Sequence, residues 1–288
     1  MYLCNMKKKL IADAGSTKVD WALLSEDGHL ENVMASEGIN ALLAEDDAIK
    51  NILGKISSET GDARDIAEIY YYGAGCATPQ ICERMKKLIS TFYPDVQVNV
   101  DSDLLGAARA IFGAGKGIAC ILGTGSNSCL YDGSSIVMNI PSLGYILGDE
   151  GSGAALGKRL INEAFKGQLP ENIKKKFLEK YDFTLPLILE NVYRKPAPNR
   201  FLASIVPFIS ENLWNPYIYS LVLEELTSFV KRNVAMYPGA HSLSLGFTGS
   251  IAFNFEKILK EAAASQGYSV RSVIKSPIEG LVKYHGSN

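Results

Sequence analysis

The sequence predicts an α/β protein in which one strand-rich plan occurs twice, with a helical segment inserted in the second copy. The order strand, glycine-and-hydroxyl turn, strand, Asp-Gly turn, strand is read over residues 10–36 and again over 120–138. Strand-then-helix units follow at 67–92, 96–112 and 243–265, the pattern of a sheet covered by helices. Residues 170–237 instead carry mostly helical spacing, stopped at Pro186, Pro196, Pro198 and Pro216.

In the first copy the apolar run Leu10-Ile11-Ala12 and the alternating residues 19–24 flank Asp13-Ala14-Gly15-Ser16-Thr17-Lys18, which is therefore a tight turn between paired strands. Asp27-Gly28 turns the chain into a third strand at 30–36. Glu37-Gly38-Ile39-Asn40 ends that strand before a helix over about 45–60. Asn40 either serves the turn itself or offers its amide to a substrate hydroxyl. The strand at 67–72 ends in Gly73-Ala74-Gly75, and Ile81, Met85, Leu88, Ile89 and Phe92 follow at helical spacing. Sites in such sheets lie at the carboxyl ends of strands, so the 73–75 loop is either a ligand approach or a plain β-to-α turn. A strand at 96–100 leads to Asp101-Ser102-Asp103 and a short Ala-rich helix. Ser102 or Asp103 can simply cap that helix. Alternatively, one of the two carboxylates takes a proton from a hydroxyl that attacks phosphorus.

Gly113-Ala114-Gly115-Lys116-Gly117 joins the halves, which divides the chain into 1–112 and 113–288, with the helical insertion at about 154–240. It is no Walker A loop, because Gly-x-x-x-x-Gly-Lys-Ser/Thr is absent from the sequence. In the second copy Cys120-Ile121-Leu122 and Cys129-Leu130-Tyr131 flank the turn Gly123-Thr124-Gly125-Ser126-Asn127-Ser128. The stretch 141–153 then sets glycines around Asp149 and Glu150 just before a helix from 154 to about 166. Such a loop lets a carboxylate meet several hydroxyls while the backbone approaches. Thr248-Gly249-Ser250 turns a late strand into a helix over 251–265, where a flat ring or ribose could pack on backbone. A strand at 270–274 and a helix from Pro277 follow.

Composition narrows the function. Lys and Arg total 29 against 31 Asp and Glu, so no basic excess recruits nucleic acid. No apolar run is long enough to span a bilayer, and the opening Met-Tyr-Leu-Cys-Asn-Met-Lys-Lys-Lys is not a leader pattern, so no membrane partner is expected. Five cysteines, Cys4, Cys76, Cys82, Cys120 and Cys129, form an odd set without a CxxC pair, which predicts reduced thiols and a cytoplasmic protein. The three histidines are far apart and no HExxH occurs, which argues against zinc.

The two turns carry the chemistry. Gly15 clears space for an anion, Ser16 and Thr17 add hydroxyl donors, and consecutive amides in one concavity attract negative charge. Asp13 beside an anion makes sense when Mg²⁺ stands between them. Two such hairpins predict a phosphate chain gripped between the copies.

Taken together, these motifs resemble the sugar kinase branch of the actin, hexokinase and heat-shock chaperone ATPase superfamily, within it the N-acetylglucosamine kinases and the BadF/BadG-type ATPases. Asp-Ala-Gly-Ser-Thr-Lys at 13–18, Gly-Thr-Gly-Ser-Asn at 123–127, Gly-Asp-Glu-Gly-Ser at 148–152 and Thr-Gly-Ser at 248–250 stand in the family's order. The resemblance implies two ribonuclease-H-like, actin-like ATPase domains with ATP and Mg²⁺ in a central cleft. It implies Asp13 for the metal, Gly15, Ser16, Thr17 and Lys18 with Gly123, Thr124 and Gly125 for the phosphates, and Gly249 and Ser250 at the adenosine. For the sugar it points to Asn40, Gly75, Thr124, Gly144, Asp149 and Glu150. It favours Asp103 over Asp101 as general base, by its distance to the Gly-Thr-Gly loop. The implied activity is ATP-dependent phosphorylation of N-acetylglucosamine or a related amino sugar. The alternative is a BadF/BadG-type regulator or activator that phosphorylates no sugar. A homodimer is the assembly allowed for. One departure is Ser142-Leu143-Gly144 in place of the kinases' Gly-Trp-Gly, which removes an aromatic wall from the expected sugar pocket.

Overall fold

The computed structural model of the protein describes residues 7–286; Cys4 and the rest of the opening segment lie outside them. The chain runs β1 (Lys8–Ala14), β2 (Lys18–Leu24), β3 (Leu30–Glu37), α1 (Asp46–Thr60), β4 (Ile66–Gly73), α2 (Pro79–Ser90), β5 (Gln97–Ser102) and α3 (Asp103–Phe112). Next come β6 (Gly117–Leu122), β7 (Ser126–Tyr131), β8 (Ile136–Ile140), α4 (Gly144–Leu147) and α5 (Gly153–Phe165). Five more helices follow: α6 (Glu171–Tyr181), α7 (Leu185–Tyr193), α8 (Pro198–Ala203), α9 (Val206–Glu211) and α10 (Pro216–Arg232). The chain continues through β9 (Leu245–Thr248), α11 (Ser250–Asn254), α12 (Glu256–Ser265), β10 (Val270–Ile274) and α13 (Ile278–Gly286).

These elements form two units. Unit 1 holds the chain up to Gly115, Gly133–Ser135 and the segment from Ser276 onward; unit 2 holds Lys116–Asp132 and Ile136–Lys275. The boundary differs from a single cut at 112/113, because the segment from Ser276 packs with the first copy. The reason is apolar: Ile278 and Leu281 of α13 are buried with Ile11, Ala22, Leu24 and Tyr72 on one face of the first sheet. The opposite face buries Leu10, Ala12 and Ala14 with α1 and α2 residues such as Ile49, Leu53, Met85 and Ile89. Alternation along β1 thus feeds two layers of helices.

The first sheet has the order β3-β2-β1-β4-β5, with β1, β2 and β3 antiparallel and β1, β4 and β5 parallel. The second repeats it as β8-β7-β6-β9-β10 with the same directions. The duplication expected from the two hairpins is present strand for strand. In unit 2 the connection from β8 to β9 holds the helical run α4 to α10, where unit 1 has α1 and a single 3-10 turn at Ala63–Asp65.

Two local expectations are corrected. The helix expected over 251–265 is two helices, broken at buried Phe255, whose backbone (φ −110°, ψ 25°) leaves the helical region. Within 141–153, expected as loop, lies the short α4, entered through Leu143 and Gly144 at φ +61° and +72°. Among the described residues, no helix is long and apolar enough to cross a membrane.

Unit 2 also contains a tight helix crossing. A Cβ at Gly157 of α5 would overlap the Leu202 carbonyl oxygen of α8. Gly157→Ala is expected to destabilise the protein by about 1–3 kcal/mol despite alanine's better helix propensity, since backbone must move. Chemical denaturation measures it.

Candidate functional site

In unit 1 the expected residues gather at the carboxyl ends of β1, β4 and β5. Gly15 closes its turn by donating its N–H to the Lys18 carbonyl (3.0 Å). The 38–40 segment lies against this turn: Gly38 N–H donates to Thr17 O and Ile39 N–H to Gly15 O, both at 3.1 Å. A Cβ at Gly38 would collide with the Ser16 and Thr17 backbone, so only glycine permits this approach. Asn40 donates to Ser16 Oγ (3.2 Å) and accepts from the Leu42 N–H (3.1 Å). Its amide therefore serves both its own turn and the Gly-Ser-Thr turn. Gly75, at φ +82°, sits against Asn40 Oδ1 (2.5 Å from an added Cβ), and Ala41 N–H donates to Ala74 O (2.8 Å).

The acidic groups are less comfortable. Asp13 pairs directly opposite Asp20 in the β1–β2 ladder, and like charges so placed repel. Ser276 Oγ donates toward both carboxylates, at 3.4 Å to Asp13 and 3.3 Å to Asp20, and Lys18 Nζ is 2.5 Å from Asp20. Burial first, then Asp103 and Asp20, push the Asp13 carboxyl up to about 7. The Asp103 carboxyl is pushed up to about 6 by burial, against backbone N–H bonds from Leu104 and its own residue. Asp101 differs: it is more exposed and 3.6 Å from the Arg109 guanidinium. In unit 2 the positions equivalent to the Asp13–Asp20 pair are Ile121 and Asn127, so the acid pair belongs to one copy only.

Sequence reasoning missed Asp20, Gly38 and Ser276. Counting outward from Ser16-Thr17 at the tip pairs Gly15 with Lys18, Ala14 with Val19 and Asp13 with Asp20, a signal that was available. Ser276 arrives from 263 residues away and has no local signature.

Among the described residues, no three His, Cys, Asp or Glu side chains converge as a metal cage. The facing Asp13 and Asp20 carboxylates nevertheless fit a hard cation that completes its shell with phosphate and water oxygens, as Mg²⁺ does.

In unit 2 the Gly123-Thr124-Gly125 turn is stitched to the start of α5: Gly153 and Ala154 N–H groups donate to the Gly123 and Thr124 carbonyls (2.8 and 3.0 Å). Asp149, 6% exposed and at φ +58°, accepts from the Ser126 N–H (3.2 Å) and lies beside Gly125. Burial raises its carboxyl above the usual range. Gly249 rests on the same turn, where a Cβ would overlap Leu122 O, and Ser250 begins α11. Turn, Asp149 and Gly249 are thus brought together. Glu150 is engaged otherwise, 2.5 Å from Arg232, on the wall of a pocket of about 540 Å³ that Arg159 and Glu225 also line. Gly144 opens α4, and Leu143 before it is 65% exposed, so no aromatic ring stands at 142–144.

Two sheets of one topology, each with a glycine-and-hydroxyl turn after its first strand, define a duplicated actin-like ATPase fold. Solved structures agree. A candidate N-acetylglucosamine kinase from Porphyromonas gingivalis matches with a TM-score of 0.92 and 44% identity over 97% of this chain and 99% of its own. A second candidate of that kind, from Chromobacterium violaceum, has a TM-score of 0.76 at 18% identity, over 97% of this chain and 99% of its own. A ROK family glucokinase from Streptomyces griseus, solved with glucose and AMPPNP, shares the fold at a TM-score of 0.55 and 13% identity, over 98% of this chain and 97% of its own. No protein-family model and no curated protein sequence matches. On the first of these likenesses, the chain belongs to the N-acetylglucosamine kinase family.

Proposed function

We propose that this protein transfers the γ-phosphoryl group of ATP to a hydroxyl of N-acetylglucosamine or a closely related amino sugar. The observation that carries the reading is Asp103: a half-buried carboxylate at the start of α3, just past a strand end, raised to about 6, while its neighbour Asp101 faces Arg109. A base poised just below neutral pH can accept the hydroxyl proton as oxygen attacks phosphorus, and it is ionised when it must act. The close likeness to a candidate kinase for this sugar supports the substrate class.

The Gly15-Ser16-Thr17 and Gly123-Thr124-Gly125 turns supply amide and hydroxyl donors for the phosphates, with Lys18 beside the first. Asp13, with Asp20, would hold Mg²⁺, which neutralises phosphate charge when bound. Asp149, Asn40, Gly75, Gly144 and Glu150 are the proposed sugar side, and Gly249 and Ser250 the adenosine side. The close likeness to a candidate sugar kinase favours this reading over a redox activator. A cytoplasmic location fits the reduced thiols.

The test is incubation with MgATP and a panel of hexoses and N-acetylated amino sugars, following ADP release and sugar phosphate by mass spectrometry. Sugar-dependent ADP release with a matching phosphorylated amino sugar is expected. ATP binding without sugar phosphate across the panel would replace the kinase by a regulator.

A further inference from the structure

One chain of polar groups in unit 1 runs from α13 to Asp101, on the strand that leads into the base at Asp103. α13 delivers His285, only 5% exposed, onto β4, where its ring stacks on Tyr70 (centroids 3.8 Å apart). His285 Nε2 is 2.8 Å from Tyr72 Oη, and Tyr72 Oη accepts from Arg109 Nη1 at 2.8 Å. Arg109 Nη1 lies 3.6 Å from Asp101 Oδ2, and Asp101 is the β5 residue that pairs with Tyr72. Since Tyr72 Oη already accepts from the guanidinium, its own proton goes to Nε2, and donors run Arg109 to Tyr72 to His285. His285 is therefore a neutral acceptor; burial, Arg109 and Lys9 hold it down to about 4.

The same groups fix the helix that begins at Asp103. Arg109 sits on α3 and faces the rings of Tyr72 and Tyr284 (5.7 and 5.3 Å from their centroids). Its Nε is buried with no partner, so the cation depends on these neighbours. Gly106 of α3 touches Tyr72 so closely that a Cβ would lie 2.8 Å from the ring. Helix α3 thus rests on Tyr72 from below and is tied through Arg109 to both β5 and α13.

We propose that His285 is a positioning residue for phosphoryl transfer: through Tyr72 and Arg109 it keeps Asp101 in its ion pair and fixes the β5–α3 corner that holds Asp103. This rests on the kinase reading for its catalytic consequence, but the geometry it asserts is separate. A base displaced by a fraction of an ångström loses rate without losing nucleotide affinity.

The test compares the whole protein with His285→Phe, which keeps a stacking ring without an acceptor, and His285→Gln, which restores an acceptor. With N-acetylglucosamine and MgATP, His285→Phe is expected to lower kcat about tenfold with KM for MgATP within about twofold. His285→Gln is expected to recover most of that loss. Amide hydrogen exchange supplies a readout that needs no substrate: Leu104 and Leu105 should exchange faster in His285→Phe but not in His285→Gln, with Val98 unchanged in both. Wild-type kcat together with unchanged exchange at Leu104 and Leu105 in His285→Phe overturns the proposal. Equal losses in both variants, with faster exchange throughout unit 1, overturn it too, leaving a packing role. If the unsubstituted protein phosphorylates no sugar, the kinase reading fails while exchange at Leu104 and Leu105 still decides the positioning claim.

Discussion

Replacing Asp103 with Asn is expected to lower kcat for sugar phosphorylation by about 10²- to 10⁴-fold, the usual worth of a general base, with KM for MgATP little changed. The replacement keeps the side chain's shape and its place at the start of α3, so binding survives and proton acceptance does not. Asp101→Asn should cost about tenfold at most, because that carboxylate faces Arg109 and acts only through the corner that holds Asp103. The pH dependence has a definite sign. Burial raises Asp103 to about 6, so the rate should climb as pH rises through 6 and level off above it, and the rise should vanish in Asp103→Asn. Steady-state kinetics from pH 5 to 8.5 tests both statements, and a full rate in Asp103→Asn with a lost one in Asp101→Asn would exchange the two roles.

Asp13→Asn is expected to abolish Mg²⁺-dependent turnover and, in metal-free solution above pH 7, to make the protein more stable. The Asp13 carboxyl rises from 3.8 to about 7 on folding. Between those values the folded chain holds a proton that the unfolded chain releases, so folding is favoured toward acid. That contribution fades as pH climbs to 7, beyond which the ionised group opposes folding. At ~1.4 kcal/mol per pKa unit the ceiling is about 4 kcal/mol, and relief of part of it in Asp13→Asn should appear as a rise in Tm of several degrees at pH 8 that shrinks as pH falls and vanishes near pH 4. Added Mg²⁺ should stabilise the unsubstituted protein but not the variant. A variant less stable than its parent at pH 8 would mean that Asp13 is structural.

The strands were legible because their patterning is local: alternation at 19–24 and the Asp27-Gly28 turn locate a hairpin within a residue or two. The repeat of that hairpin then revealed both sheets. Asp13, the two turns and the 101–103 acids were legible for the same reason. Other features depend on partners that no window of sequence contains. The apolar spacing of 278–286 says that α13 buries one face but not that the face belongs to unit 1. Spacing over 251–265 is continuous, so the break at Phe255 is set by the core that receives the ring. The different surroundings of Asp101 and Asp103 come from Arg109, six residues beyond Asp103 on the next helix and in contact with Tyr72 and Tyr284.

The return of α13 to unit 1 bears on how the protein is made. Roughly 160 residues separate Gly115 from Ser276, and at about 5–20 residues per second a ribosome needs roughly 8–30 s to add them. Throughout that interval the face formed by Ile11, Ala22, Leu24 and Tyr72 waits without Ile278 and Leu281. That part of the unit 1 core can therefore close only after the second half of the chain has been made.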